Sequence, residues 1–575
     1  MPFSIRCAFS FVLVLGLSAA PVFALEDSNF DESSLSGSYL AGRFAGQRHD
    51  MDVAARYFQN ALQDDPNNPV LIERVFIFQL SEGNINEAED YATRVLSFNS
   101  QHRMARIVLG LRDLRLKRYR EAREHFRKSA YTPVGELTGA LLTAWTHAAE
   151  GNLAEALKAL DKLDTNEAFE NFKSFHAALI ADYAGTPLRA ETFYKEAYGQ
   201  AATSLRVVQA YGNFLERTGR PTEARQVYDL FLTSSENNPL ILAAKARLNR
   251  GEKPDAFIKS PLHGAGEAMF SLASALSDDQ SSDVALVYAQ LALSLAKPSP
   301  VTQTLLGDIY ENMDRFDKAI SAYERIPADS ELRENAEIEM AINLQRLERS
   351  QEAQTKLSRL IAKDPSNYDA LVTLGNIYRA NEQFAQAADT YSKAIALLKQ
   401  PERSNWAVFY YRGISNERTK RWEQAEADFR KALALEPNQP LVLNYLGYSM
   451  IEKSLNLPEA LEMVRKAVEL KPNDGFIVDS LGWAHYQLGE YEEAVRHLER
   501  AVELKPADPT IADHLGDAYW RVGRQLEARF QWQHAKDNKP EPENLAKIEA
   551  KLKDGLPDLP PVTPADNKVE HDNNG

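Results

Sequence analysis

Alanine recurs in this chain at a fixed interval. Ala54, Ala88, Ala122, Ala156, Ala190 and Ala224 are each 34 residues apart. The spacing resumes at Ala285, Ala319, Ala353 and Ala387, and continues slightly stretched through Ala425, Ala460, Ala494 and Ala528. A period of this length belongs to stacked supersecondary units, each packing mainly on its neighbours and together building an extended surface. It overrides the prior of three or four domains that 575 residues would otherwise suggest.

Other positions follow the same beat. Twelve residues before the alanine stands a small residue, among them Gly42, Gly110, Ala144, Gly212, Gly307, Gly375, Gly413, Gly482 and Gly516, with Phe76 as the bulky exception. Four residues after it comes a filler such as Phe58, Phe126, Tyr194, Tyr228, Tyr323, Tyr391, Phe429, Leu498 or Trp532. Seven after it, the best copies have a second alanine, as at Ala61, Ala394, Ala432 and Ala501. Spacings of three and four put these side chains on one helical face. The small residue belongs to the preceding helix, so two helices can approach closely while the fillers plug the space beside them. Pro66, Pro365, Pro437, Pro472 and Pro506 close units, because proline cannot continue a helix.

On these residues the chain resembles tetratricopeptide repeat proteins. The clearest copy carries Leu481-Gly482, Gly489, Tyr491, Ala494, Leu498, Ala501 and Pro506; the next has Leu515-Gly516, Tyr519, Gly523, Ala528, Trp532 and Ala535. Fourteen copies start near residues 35, 69, 103, 137, 171, 205, 266, 300, 334, 368, 406, 440, 475 and 509. The resemblance implies an all-α solenoid, a right-handed superhelix of about 14 hairpins, closed by a C-terminal capping helix.

The chain divides accordingly. Residues 1–24 read as a secretory signal peptide: Arg6, an apolar run from Cys7 to Ala20, and Val22-Phe23-Ala24 at the cleavage point. Residues 25–238 form a first block of about six repeats, and 266–540 a second of about eight. Between them, 239–251 reads as an orphan helix and the rest, to 265, as a loop; Gly264-Ala265-Gly266, at the junction with the second block, also reads as loop rather than a dinucleotide turn. Residues 541–555 form the cap, with Leu545, Ile548 and Leu552 as its apolar stripe, and 556–575 a disordered tail.

Removing Arg6 with the signal takes the net charge from −16 to about −17, a surface that repels nucleic acid and anionic lipid. Cys7 is the only cysteine, so the mature chain has no disulfide, thiolate metal site or cysteine nucleophile. Export without disulfides suits a bacterial periplasm. Residues Leu443 to Ala535 resemble the long exported repeat proteins of Gram-negative bacteria, and no stable membrane span remains after cleavage. There is no phosphate-binding loop, nucleophile elbow or H-E-x-x-H pattern, so no catalytic, metal or cofactor site is expected.

The resemblance also implies where partners sit. Positions 2, 5, 9, 12 and 13 of each first helix line the concave groove. The last three copies place Asn444, Tyr448, Phe476, Asp479, Trp483, Tyr486, Asp513, Asp517, Trp520 and Arg521 there. Aromatic anchors beside polar groups suit a bound protein or peptide segment, although the same rings also fit packing between adjacent helices. Asp479, Asp513 and Asp517 favour basic, polar or apolar ligands over a carboxylate. Self-association into a homo-oligomer is compatible with all of this.

The expected role is a periplasmic scaffold in cell-envelope assembly or maintenance. A component of a polysaccharide or protein secretion system, or a holdase for exported chains, would use the same groove. If 1–24 direct export, an alkaline-phosphatase fusion to residues 1–40 is active only outside the cytoplasm; an inactive fusion removes the argument for export.

Overall fold

A computed structural model describes residues 34–163, 166–277, 281–296 and 299–557. The signal-peptide residues and residues 558–575 of the tail lie outside these. Among the described residues the secondary structure is helical, and thirty α-helices follow one another from Leu35–Gln47 to Pro542–Asp554. They pair into fourteen hairpins, with the unpaired helix Pro239–Asn249 after the sixth and the cap Pro542–Asp554 after the last.

Each hairpin closes on the contact that the sequence period encodes. Every alanine of the ruler, Ala54 through Ala528, has no exposed surface. The filler ring lies directly on the small residue of the partner helix, closer than a position beside it. A Cβ at Gly212 would sit 2.3 Å from the Tyr228 ring, at Gly307 2.4 Å from Tyr323, and at Gly110 2.4 Å from Phe126. Even the divergent second copy forms its hairpin, Pro69–Ser81 with Ile85–Phe98, around a fully buried Phe76.

The turn between the two helices has its own requirement. A residue with positive φ recurs at 49, 83, 117, 151, 185 and 219, again 34 apart. Glycine meets it without steric cost at Gly83 and Gly151, whereas His49 and Lys117 adopt it at a cost of about 1–2 kcal/mol each.

The chain forms two compact units, Met1–Ala362 and Lys363–Gly575. The first extends across the break in the alanine ruler. The helix after the break starts at Pro261, so the expected loop to residue 265 ends at residue 260. Ser260 caps it by accepting from the His263 N–H, and proline occupies the first helical position. Gly264, Ala265 and Gly266 are therefore helical and buried, not loop. Their smallness serves packing: a Cβ at Gly264 would lie 2.3 Å from the Trp145 ring.

The hairpin Pro261–Ala275 and Ser282–Leu295 folds back onto the first block. Pro261–Ala275 packs on Pro133–Ala149, and Ser282–Leu295 on Pro69–Ser81, both first helices of their hairpins. Polar contacts fix the register. Tyr288 and Thr138 share a hydrogen bond of 3.1 Å, and Gln290 Nε2 donates to the Ser81 carbonyl at 3.1 Å. Arg206 grips Glu267 through two nitrogens, with its Nε 2.8 Å from Oε1. Lys318 donates to Glu82 at 2.8 Å.

In the second unit the cap runs along the last hairpin with Ile548 buried. Leu552 packs with Trp520 and Trp532 in one cluster. Gly555 ends the helix at φ 74°.

Gly264→Ala should lower the stability of the full chain by about 1–3 kcal/mol in thermal or denaturant unfolding, through overpacking against Trp145. Adding Trp145→Leu should restore part of the loss; strict additivity would mean that the two residues do not share the contact.

Candidate functional site

Three successive first helices of the second unit, Pro440–Glu452, Gly475–Gln487 and Pro509–Arg521, carry all the expected groove residues. Their starts are fixed locally. Asp474 accepts from the Phe476 N–H, and Asp508 from Thr510 and Ile511, satisfying donors that a helix N-terminus leaves open.

The predicted residues fall into three groups. The first is a network around Trp483. Its ring stacks on Tyr486 at 4.6 Å and on His514 at 4.0 Å, and its Nε1 donates to Glu452 at 2.6 Å. His514 Nδ1 lies 3.0 Å from Asp479, and Arg521 Nε donates to the Tyr486 hydroxyl at 3.3 Å. Side chains from three helices are thus tied into one rigid patch.

The second group is Asp513 and Asp517. Lys551 of the cap donates to both, at 2.8 Å each, and Trp532 Nε1 donates to Asp517 at 2.9 Å. Burial pushes the Asp517 carboxyl up, with Lys551 opposing and Asp513 adding to the rise. Trp520 is tied to this end of the unit. It packs on Trp532 at 5.4 Å beside Leu552, which makes it a structural contact of the cap.

The third group is Phe476, Tyr448 and Asn444. Phe476 is 42% exposed, with Lys505 5.3 Å over its ring. Tyr448 stands one turn after Asn444 on the same helix; burial pushes its hydroxyl well up, with Glu452 and Asp479 adding to the effect. The Asn444 Oδ1 is buried and has no hydrogen-bond partner. An unmatched buried acceptor costs about 1–3 kcal/mol, which a ligand N–H would recover only where the side chain turns its Oδ1 to the surface.

The charge of this face differs from the expectation. Asp479, Asp513 and Asp517 are each paired with a base, so they do not present three free carboxylates to a ligand. His514 and Lys551 were missing from the predicted set. Both were within reach of the repeat spacing: His514 lies 35 residues after Asp479, and Lys551 lies 34 after Asp517. Among the described residues, no group of three or more His, Cys, Asp or Glu is placed to hold a metal, and no helix is long and apolar enough to cross a membrane.

Family models agree with the hairpin geometry. The TPR repeat matches residues 482–523, and the tetratricopeptide repeat matches 338–400, 372–440 and 302–326. The hairpins within these residues are tetratricopeptide repeats. A curated relative, cellulose synthase operon protein C of Xanthomonas axonopodis pv. citri, is 30% identical over 202 residues, which is 32% of this chain and 13% of the relative. This chain therefore matches about an eighth of that protein's length.

Among solved structures, the APC/C hetero-tetramer Cut9–Hcn1 is similar at 16% identity and TM-score 0.38, covering 91% of this chain and 97% of that one. A tetratricopeptide repeat protein from Parabacteroides merdae is 15% identical with TM-score 0.36, covering 44% and 97%. Yeast Tom70 is 14% identical with TM-score 0.32, covering 90% and 95%. Likeness at this level does not extend to any partner or role.

His514 gives the site a pH signature. Burial opposes its charge, but Asp479, with Asp513 and Asp517 behind it, outweighs burial and holds its pKa above the ordinary value of 6.5. Its contribution to stability is therefore complete below about pH 6.5 and is lost as pH rises through the folded value. Melting of the full chain should lose stability as pH rises above about 6.5, and His514→Gln should flatten that slope. An unchanged slope would show that His514 is not charged in the fold.

Proposed function

We infer that this tetratricopeptide repeat protein is an exported scaffold, and that it holds a segment of a partner protein on the Asn444, Tyr448 and Phe476 face of its second unit. The observation that carries the reading is the exposed Phe476, with the unsatisfied Asn444 Oδ1 on the preceding first helix, next to a patch already made rigid through Trp483. A preorganised surface binds an extended segment with little further ordering cost. The signal-like N-terminus and the cysteine-free mature sequence support a periplasmic setting in a Gram-negative bacterium, with a role in cell-envelope assembly or maintenance.

A second reading, a periplasmic component of polysaccharide secretion, draws on the stretch of 202 residues that is 30% identical to the cellulose synthase operon protein. Both readings use the same face and differ in the partner.

Photo-crosslinking in living cells tests the face and names the partner. A benzophenone side chain at Phe476 or Tyr448 should give one defined protein adduct; one at Arg500, on a second helix, should not. Asn444→Leu should weaken the adduct by about tenfold without loss of helical content. Equal adducts from Phe476 and Arg500 would sink the proposed face. The identity of the adduct, an envelope-assembly protein or a secretion-apparatus protein, separates the two readings.

A further inference from the structure

The third hairpin, Arg103–Arg115 with Tyr119–Ser129, is charged unlike the rest of the chain. Residues 103–128 hold ten Lys and Arg against three acids, Asp113, Glu121 and Glu124, in a protein of net charge −16. Some of this charge is balanced: Arg115 pairs with Glu89, Arg123 with Glu150, and Arg127 and Lys128 with Glu124. The rest is not. The nearly buried Asp113 is shared by Arg112, Arg118 and His125, none closer than 3.6 Å. Arg112 Nε has no hydrogen-bond partner.

The surplus gathers where the two helices turn. Lys117 takes the positive-φ position, is exposed and makes no ion pair among the described residues; the same holds for the exposed Arg120. Arg118 is 60% exposed. Leu116, between Arg115 and Lys117, is 54% exposed, an apolar contact inside a cationic rim. His125 reports the field: burial first, then Arg106, Arg112 and Lys128, hold its pKa below the ordinary histidine value against the pull of Asp113.

We propose that this turn, Leu116 to Arg120 with Arg112 behind it, docks an acidic segment of a partner protein. An anionic membrane would carry the same charge, but the neighbours argue against it. The helices that follow the equivalent turns of the flanking hairpins carry the exposed carboxylates of Glu87, Asp90 and Glu155. A flat anionic sheet would meet those carboxylates on both sides. A narrow acidic strand would not, so the strip, one hairpin wide, selects for a chain over a surface.

The test uses the full mature chain and a fluorescein-labelled hexaglutamate peptide, read by fluorescence anisotropy. Binding should weaken about tenfold or more from about 0.05 M to about 0.3 M NaCl. The triple reversal Lys117→Glu, Arg118→Glu, Arg120→Glu should abolish it. The neutral triple Lys117→Gln, Arg118→Gln, Arg120→Gln should weaken it about tenfold with an unchanged melting temperature. A charge-matched reversal in the second unit, Arg465→Glu, Lys466→Glu, Arg500→Glu, should leave it intact. No binding, or equal loss in the charge-matched control, overturns the proposal. So does binding to phosphatidylglycerol vesicles without binding to the peptide. Because the probe reads the third hairpin and the crosslinks read the second unit, either reading can fail alone.

Discussion

Seven of the fourteen hairpins turn on one contact, an aromatic ring laid on a residue with no side chain, one helix away. At Gly212, Gly307, Gly375, Gly413 and Gly516 a single added carbon would fall within 2.6 Å of the ring or indole of Tyr228, Tyr323, Tyr391, Phe429 and Trp532. The close approach has a second consequence. It carries the ring's polar tip through the hairpin to the far side of the first helix. Tyr228 donates to Glu216 at 2.7 Å, Tyr323 to Asp308 at 2.8 Å, Tyr391 to Asn376 at 2.8 Å and Trp532 to Asp517 at 2.9 Å. A buried hydroxyl or indole N–H needs an acceptor, so the core recruits polar residues onto the inner face. Polar side chains there are thus partly a requirement of the core.

The same packing logic explains what fills the first unit. Small residues that let a hairpin close also let one hairpin lie against several others. Gly264 accepts the Trp145 ring, and Glu267 is buried against Arg206. A charge buried this deeply is tolerated only with a partner fixed in geometry, and breaking such a pair costs about 3–5 kcal/mol. The hairpin 261–295 is accordingly a permanent part of the first block's inner surface. Its fully buried Tyr288, Met269 and Ala285 belong to a core.

Fold and site were unequally legible in the sequence. The period was plain because the alanine positions, and the glycine positions under an aromatic ring, leave no room for more; this set the helix pairs, with Phe76 as the one bulky departure, while the apolar stripe around Ile548 marked the cap. The return of 261–295 was hidden. Gly264-Ala265-Gly266 looks like loop by local propensity, and only a distant partner, Trp145, makes it a packed helix. The site was read position by position as though each side chain faced a ligand, whereas the repeat spacing also aligns neighbours with one another. His514 falls under Asp479, and Lys551 under Asp517, by the same beat that places the alanines.

This alignment determines what the inner face of the second unit can offer. Trp483 holds two stacked rings and a hydrogen bond to Glu452, so it orients its neighbours more than it presents a free surface. Asp479, Asp513 and Asp517 are spent on His514 and Lys551. Asn444, one repeat earlier, keeps an unmatched acceptor, and Phe476, at the start of the Trp483 helix, stays exposed under Lys505. Recognition built on one acceptor and one aromatic beside a rigid wall suits the backbone and an apolar side chain of an extended segment. The proposed site would thus select for shape and hydrogen-bond register more than for charge.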